Sequence, residues 1–429
     1  MSKMILDTQE LPRNLKEWIL YPLQMLLSVF VATVLIATIC GTPIDVCLLG
    51  GCLGTIIYQL CTGFKSPMFI SNSGATVSAV IGALALGSTP NYLAVAIGGV
   101  MIFTVYAIFA LVVKLKGIET FNKIFPATIV GPVTIVIGLN LAKFIPTYTQ
   151  VGGTYSGLGV LIAIVVAIIV ALMSRYAKGF WKTIPFLIGL LAGFVLCLLF
   201  EVTGVQDFGI IAKFAAIDSF FHSPHFVLHQ WSESPWEWSY LGEIALLFIP
   251  VSICALLEHY SDHKVLGNII DHDLTKDPGL HRTLLGDGLA SMIGTWTCGL
   301  PNTSYGESVA NIGFSKVASV AVTSVAAAVM GCLAFIEPFQ VFLQAIPSCV
   351  FGGCAIILYG YIASSGLKTI RNANIDLENN KNLIVISSIL TVGVSGAYLF
   401  SSSFTGVSLA MVIGVILNLL LRDKKSEVK

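Results

Sequence analysis

Long apolar runs alternate with short polar connections along the whole chain. An apolar helix of about 20 residues spans the hydrocarbon core of a bilayer, and many of these runs reach that length. We predict helices at 19–40, 44–62, 91–114, 125–143, 156–174, 183–201, 240–263, 280–298, 317–336, 340–362, 382–399 and 404–421. Two shorter segments, 68–88 and 299–316, raise the expected number of membrane elements to about fourteen. The pattern therefore predicts an all-α polytopic membrane protein.

Composition supports the membrane assignment and narrows the partners. Of the 429 residues, 56% are hydrophobic and only 11% are charged, whereas soluble domains carry about 25% charged residues. The formal net charge is zero, so nothing favours a nucleic-acid partner. The ten cysteines form no C-x-x-C motif, and several lie inside apolar runs. We therefore expect neither a metal centre nor a disulfide framework.

The distribution of lysine and arginine predicts how the chain crosses the membrane. When the N-terminus is placed in the cytoplasm and the fourteen or so elements alternate, only Lys143 and Lys213 of the 23 basic residues fall outside. With a wrong number of crossings, the basic residues would be distributed over both sides of the membrane. We therefore expect both termini to be cytoplasmic, the segment 202–239 to be an external loop, and the two short segments to enter the membrane.

The two short segments share an unusual pattern. The second reads GLPNTSYGESVANIGFSK over 299–316, and the first reads FISNSGATVSAVIGALALG from Phe69. Each follows two predicted helices in its half of the chain, and about seven elements fit in each half, so the second half would be inverted. Short, glycine-interrupted segments at matching places indicate a transporter site near the membrane midplane, where half-helix N-termini attract polar ligands. The alternatives are an ordinary surface loop and a chance likeness in a glycine-rich chain.

Few acidic residues fall within the predicted membrane elements, namely Glu243, Glu258, Asp262, Asp287 and Glu307. An acid inside a membrane is costly and is by default a candidate functional residue. A buried carboxyl group resists ionisation and can carry a proton, and a carboxylate can accept the N–H groups of a heterocycle. Glu258 and Glu307 therefore suit both substrate binding and proton coupling. A structural hydrogen bond remains the alternative for Glu258, and structural or interfacial roles remain open for Asp262 and Asp287.

His259 and His263 are spaced i, i+4, which is a spacing that can hold a metal. They lie at the end of the predicted helix beside Lys264, which disfavours a cation, so we predict solvated or interfacial histidines. The sequence holds no nucleotide-binding G-x-x-x-x-G-K-[ST] motif and no recognisable catalytic constellation. We therefore expect neither a nucleotide-driven pump nor an enzyme, and no cofactor.

Several stretches together resemble the nucleobase–ascorbate transporter family, with the bacterial uracil permeases as the nearest likeness. They are PNTSYGE at 301–307, DPGLHR at 277–282, PMFISNSGATVSAV at 67–80, LPRNLKEWILYPLQ at 11–24 and the pair Glu258-His259. The resemblance implies a proton-coupled symporter that takes up a nucleobase across the bacterial cytoplasmic membrane.

The resemblance also implies an architecture of fourteen segments in two inverted repeats of seven. The core, substrate-binding domain would comprise 19–114 and 240–336, and the gate domain would comprise 125–201 and 340–421. The loop 202–239 would be extracellular or periplasmic, and the gate domains would form a homodimer. The third and tenth segments would each be a short strand followed by a half-helix.

The same resemblance implies where the base binds. Glu258 and Glu307 would hold the base, with help from the main chain at Ser73-Gly74 and Tyr305-Gly306. Proton coupling would fall to Glu258, Glu307 and Asp262.

Four positions depart from the uracil permease pattern. Met25 and Asp262 stand where a histidine is usual, Gly74 stands where an aromatic residue faces the base, and Ser308 stands where an asparagine is usual. A missing aromatic wall weakens stacking and leaves room for a larger base. The first interpretation is a proton-coupled importer of uracil that works by alternating access. The alternatives are a purine (xanthine-type) nucleobase–proton symporter, an uncoupled channel or facilitator, and an anion transporter of similar architecture.

Overall fold

The computed structural model describes residues 4–151, 153–399 and 401–421, and nearly all of its regular structure is helical. The helices of the first half are α1 (Leu15–Cys40), α2 (Ile44–Thr62), α3 (Val77–Leu84), α4 (Tyr92–Lys116), α5 (Ile118–Ile124), α6 (Ala127–Leu141), α7 (Ile145–Tyr148), α8 (Gly157–Tyr176) and α9 (Pro185–Val202). Those of the second half are α10 (Ile210–Ala215), α11 (Tyr240–Ile270), α12 (Leu280–Cys298), α13 (Gly306–Ser315), α14 (Val320–Leu333), α15 (Glu337–Ala345), α16 (Ser348–Asn372), α17 (Asn380–Ser395) and α18 (Val407–Leu420). Short strands pair as β1 (Ile70–Asn72) with β4 (Asn302–Ser304), β2 (Gln150–Val151) with β3 (Thr154–Tyr155), and β5 (Tyr398–Leu399) with β6 (Ser401–Thr405).

Eight helices in the described part of the chain are long and apolar enough to cross a membrane. They are α1, α2, α4, α6 with its continuation to Tyr148, α8, α9, α11 and α16. The apolar helices α14, α17 and α18 are shorter. The protein is therefore a helical, multi-pass membrane protein, whereas the count of fourteen segments and the inverted repeat stay predictions.

Most predicted helix boundaries lie close to those of the structure, and the differences have local causes. The predicted helix 340–362 is broken, because Ile346 precedes Pro347 and a residue before proline is disfavoured in a helix. Thus α15 ends at Ala345 and α16 begins at Ser348. Gly396 adopts a left-handed conformation, with φ of 73°, and ends α17 before the predicted 399, as glycine commonly does.

The two glycine-interrupted segments are each a short strand followed by a half-helix, and their strands pair with each other. β1 and β4 run antiparallel, with Ile70 opposite Ser304 and Asn72 opposite Asn302. All residues of both strands are buried. Extended backbone at membrane depth needs internal partners for its N–H and C=O groups, and each strand supplies them to the other.

Side chains of neighbouring helices hold this strand pair in place. The Thr55 hydroxyl of α2 donates to the Ile70 carbonyl at 2.8 Å. The Asn302 amide nitrogen donates to the Gly50 carbonyl of α2 at 3.0 Å and to the Ala290 carbonyl of α12 at 3.1 Å. The starts of α3 and α13 are therefore fixed against the bundle of α2, α4 and α12.

Candidate functional site

A cavity of about 490 Å³ lies beside the ends of the paired strands. Its lining includes the acids Glu258, Asp262 and Glu307 and aliphatic side chains such as Ile36 and Leu141. The cavity therefore combines hydrogen-bonding groups with an apolar wall, which is typical of a site for a small, partly apolar ligand.

Local structure explains how three acids reach one cavity. Glu258 and Asp262 lie one turn apart on α11, so they share a helix face. Glu307 lies in the first turn of α13, directly after the strand that β1 holds in place. The Ser304 hydroxyl at the end of β4 donates to Asp262 Oδ2 at 3.3 Å, which joins the strand to α11.

Glu258 carries an oxygen that is free to accept a hydrogen bond. Its Oε2 atom is buried and has no hydrogen-bond partner within the described residues, although the side chain lines the cavity. Buried polar atoms in native proteins nearly always have partners. An N–H donor of a bound ligand would supply the one that Glu258 Oε2 lacks.

The main chain proposed for ligand binding is only partly on the cavity wall. Gly74, Tyr305 and Gly306 line the cavity, and Gly306 opens α13, whose first N–H groups have no partner inside the helix. Ser73 is 2% exposed, and its N–H donates to the Pro301 carbonyl at 2.8 Å. The structure therefore places Ser73 behind the wall, where it supports the strand pair.

Tyr305 is held by the strand rather than free in the cavity. Its ring is 4% exposed, and its hydroxyl donates to the Asn72 carbonyl at 2.9 Å. The tyrosine therefore fixes the junction between β4 and α13, which sets the position of Glu307.

Gly74 leaves space next to the aliphatic wall. A Cβ atom at this position would lie 3.6 Å from Leu141 Cδ1 and 3.8 Å from Ile36 Cδ1. A side chain there would thus point toward the apolar side of the cavity. Sequence reasoning did not find Ile36 or Leu141, because an apolar residue facing a cavity has the same local pattern as one facing lipid or core.

A second contact missed by sequence reasoning joins α1 to α13 at the cavity. Asn311 lines the cavity and accepts a hydrogen bond from Gln24 Nε2 at 3.3 Å. Its own amide lies 3.5 Å from Met25 Sδ. Met25 is 1% exposed, so it lies behind Asn311 and supports it.

The prediction that His259 and His263 are solvated or interfacial is wrong. Helix α11 continues to Ile270 rather than ending at 263, and the two histidines are 0% and 1% exposed. His263 Nε2 lies 2.5 Å from the Tyr58 hydroxyl, and His259 Nδ1 lies 3.0 Å from Asp287 Oδ2. The interfacial alternative for Asp287 is also wrong, because that residue is 0% exposed.

The buried residues His259 and Asp287 lie directly behind the acids that line the cavity. The Thr303 hydroxyl of β4 donates to Asp287 Oδ2 at 3.4 Å, and Thr303 also touches the cavity. Polar side chains thus extend from the cavity through β4 to Asp287 and His259.

The cavity extends toward the face of the molecule where the chain begins. Its lining includes Lys182 and Lys368, and Lys182 Nζ lies 4.6 Å from the ring centre of Phe314 near the end of α13. The N-terminal segment packs at the same end, since the Ile5 N–H donates to the Lys316 carbonyl at 2.7 Å.

Comparison with known sequences gives matches over almost the full chain. Residues 16–402 match the model of a group described as the Permease family. The uracil permease of Bacillus caldolyticus is 35% identical over 426 residues, which cover 98% of this chain and 95% of the relative. The uracil permease of Bacillus subtilis is 33% identical, and the match covers 99% of this chain and 97% of the relative. The uracil permease of Escherichia coli K12 is 30% identical, and the match covers 98% of this chain and 95% of the relative.

Comparison with solved structures shows the same fold in distant transporters. The transmembrane domain of the cyanobacterial bicarbonate transporter BicA matches with a TM-score of 0.58 and 14% identity, covering 96% of this chain and 100% of that one. SLC26A9 matches with a TM-score of 0.61 and 13% identity, covering 95% of this chain and 66% of that one.

Proposed function

The chain belongs to the nucleobase–ascorbate/uracil permease family, whose matched members are named as transporters and not as enzymes, and we propose that it imports uracil together with protons. The proposal takes the substrate from the names of relatives that cover nearly all of this chain. The observation that carries it is one cavity lined by Glu258, Asp262 and Glu307.

The chemistry of the cavity fits a nucleobase. Uracil presents ring N–H donors and carbonyl acceptors on a flat, partly apolar ring. The unpartnered Oε2 of Glu258 and the carboxylate of Glu307 would accept the ring N–H groups. The free N–H groups at the start of α13 would donate to a uracil carbonyl, and the aliphatic wall would contact the ring face.

Proton coupling is proposed on the same three acids. Carboxyl groups that share an enclosed site within the membrane can bind and release protons during transport. Glu258 and Glu307 would each exchange a proton as the base enters and leaves, and Asp262 would serve as the further proton-handling group. Its bond from Ser304 ties that group to the strand that positions Glu307.

Alternating access is proposed as movement of the core domain, 19–114 and 240–336, against the gate domain, 125–201 and 340–421. Placing both termini in the cytoplasm follows the distribution of basic residues. The cavity extends to Lys182 and Lys368 at the face where the chain begins, so this structure would be inward-facing in the bacterial cytoplasmic membrane. A homodimer through the gate domains completes the proposal.

A purine base is the second candidate substrate. It is favoured by one observation, the space beside Gly74, where only Leu141 and Ile36 approach within 4 Å of a built Cβ atom. Without an aromatic side chain there, the wall is aliphatic and leaves room for a second ring.

Transport into proteoliposomes tests the proposal. Labelled uracil is offered under an inward proton gradient, with unlabelled thymine, xanthine and hypoxanthine as competitors. We expect uracil to accumulate above its external concentration, a protonophore to abolish accumulation, and only pyrimidines to compete. Competition by xanthine would replace uracil with a purine. Equilibration without accumulation would identify an uncoupled channel or facilitator.

A further inference from the structure

Potential metal ligands from separate parts of the chain meet at the face opposite the cavity mouth. Asp45 lies in the first turn of α2, His222 and His225 lie in the loop before α11, and Glu337 begins α15. Asp45 follows α1, and that helix of 26 residues rises about 39 Å from the N-terminal face. We propose that these four residues, the outer His–Asp cluster, bind one divalent transition-metal ion of the zinc class.

The distances already approach those of a metal site. Asp45 Oδ2 lies 2.7 Å from His225 Nδ1 and 4.0 Å from His222 Nδ1, and the three ligand atoms lie within 4.8 Å of one another. Glu337 Oε2 lies 3.7 Å from His222 Nδ1. Ligand atoms about 2.0–2.2 Å from a tetrahedral zinc ion are themselves about 3.3–3.6 Å apart. Small side-chain adjustments therefore bring the ligand atoms of Asp45, His222 and His225 around one ion, and a larger movement of the Glu337 side chain would supply the fourth ligand.

The donor set and its exposure suit zinc. Two imidazole nitrogens and two carboxylate oxygens are ligands that Zn²⁺ accepts in tetrahedral sites. The Asp45 side chain is 5% exposed, and its Oδ1 accepts a hydrogen bond from the Val46 N–H at 2.8 Å, which leaves Oδ2 aimed at the histidines. The His225 side chain is 68% exposed and gives the ion a path from solvent.

Hydrogen bonds of the backbone position the four ligand residues near one another. A β-bridge joins Phe221 to Ile336, and the Glu337 N–H donates to the Phe220 carbonyl at 3.0 Å. The His225 N–H donates to Asp45 Oδ2 at 2.9 Å. His222 Nδ1 also lies 3.0 Å from the Ser223 carbonyl, a contact that metal binding would replace.

An ion at this cluster would connect the outer loop to both α2 and α15. Because α15 lies between α14 of the proposed core and α16 of the proposed gate, the ion would link the moving parts at their outer side. An ion that binds the folded chain and not the unfolded chain also raises its thermal stability.

Zinc titration of the full-length purified protein tests the proposal. The protein is stripped with a chelator and dialysed, and Zn²⁺ alone is added in a calorimeter. We expect one site per chain in the wild type. His225→Ala removes a mostly exposed ligand, so the variant should fold. Zinc binding should weaken by more than about 100-fold, which exceeds the loss expected when only a residue that hydrogen-bonds to a ligand is changed. His229→Ala, an exposed histidine of the same loop, should bind zinc as the wild type does.

Substitution of Co²⁺ for Zn²⁺ tests whether the two histidines bind the metal directly. Co²⁺ in place of Zn²⁺ should give the visible absorption of a tetrahedral site, and His222→Ala and His225→Ala should lose it. A wild type that binds no zinc would overturn the proposal and leave only a hydrogen bond between His225 and Asp45. Wild-type zinc affinity in His225→Ala would overturn it equally, because the ion would then be bound elsewhere.

Discussion

At the residue scale, Glu258 lines the cavity and also carries a buried oxygen without a hydrogen-bond partner in the described part of the chain. Its Oε2 has no partner within the described residues, so a ligand N–H would gain a hydrogen bond to a charged acceptor. Glu258→Gln should weaken uracil binding by about 2 kcal/mol, or roughly 30-fold, and Glu307→Gln should do the same. Equilibrium binding of labelled uracil to the purified protein measures both losses.

Glu243→Gln is the matched control for these two variants. Glu243 lies in the first turn of the same helix as Glu258 and is not among the residues that line the cavity. Its substitution should leave uracil affinity unchanged. If all three variants lost affinity equally, a general effect of removing an acid would explain the result, and the assignment of Glu258 and Glu307 would be wrong.

The proposed role of Asp262 in proton coupling can be tested separately from substrate binding by Glu258 and Glu307. Its carboxylate accepts a hydrogen bond from Ser304 and lines the same cavity. We expect Asp262→Asn to retain uracil binding and to shift the pH dependence of uptake, because the substitution removes the carboxyl group proposed to carry a proton and keeps the shape of the side chain. Initial uptake rates across a pH series check this. Unchanged uptake with an unchanged pH profile would exclude Asp262 from proton coupling.

Gly74 is expected to set the size of base that the cavity accepts. Gly74→Phe would place an aromatic ring next to Leu141 and Ile36, so a purine should lose at least about tenfold in competition relative to uracil. Gly74→Ala is the control, since its Cβ meets ordinary van der Waals distances and should change neither ligand. Competition assays with xanthine measure the ratio. An equal loss for both ligands would show that Gly74 does not discriminate by size.

Residue identity alone revealed the acids of the site but not its apolar wall. Five acids stood out because acids are rare in apolar runs, and three of them, Glu258, Asp262 and Glu307, line the cavity. Ile36 and Leu141 did not, because aliphatic residues fill the same helices on every face. Only the folded chain, in which Ile36 of α1 and Leu141 of α6 both approach Gly74, distinguishes the aliphatic positions that face the cavity.

At the element scale, the strand pair β1–β4 positions the two half-helices. Asn302 anchors it through hydrogen bonds to carbonyls of α2 and α12. Asn302→Ala would leave both buried carbonyls without this donor and should cost about 1–3 kcal/mol of folding free energy. A lower thermal unfolding midpoint and weaker uracil binding are expected together, because the start of α13 loses its support.

Asn382→Ala is the corresponding control at the element scale. Asn382 is a partly exposed residue of α17 whose amide donates to the Asp376 carbonyl at 2.9 Å in a solvent-exposed hydrogen bond. Water can replace that bond, so the unfolding midpoint should barely move. A midpoint for Asn302→Ala equal to that of Asn382→Ala would contradict the anchoring role of Asn302.

The sequence predicted the elements better than their ends. Helices 44–62 and 280–298 have the same bounds in the structure, because glycine follows each of them in a left-handed conformation. The long continuation of α11 to Ile270 was missed, since the polar run EHYSDHK at 258–264 interrupts the apolar pattern before the last residues of the helix. That miss caused the wrong prediction for His259 and His263, which pack on the buried face of the continued helix.

At the scale of the whole molecule, long-range pairings account for what the sequence could not provide. The likeness of the two glycine-interrupted segments indicated related roles, yet nothing local predicts that Ile70 pairs with Ser304. The outer His–Asp cluster is similar, because His225 and Asp45 lie 180 residues apart. Local periodicity carries no information on such contacts, which arise only when the halves of the chain pack together.

Uracil-driven proton entry would distinguish proton-coupled uptake from uncoupled entry of the base. Proteoliposomes hold a pH-sensitive dye and start with equal pH on both sides, with the membrane potential clamped, and uracil is then added outside. We expect the interior to acidify with wild-type protein and to stay unchanged with Glu258→Gln. Entry of labelled uracil through the wild type without any acidification would contradict proton-coupled transport by this protein.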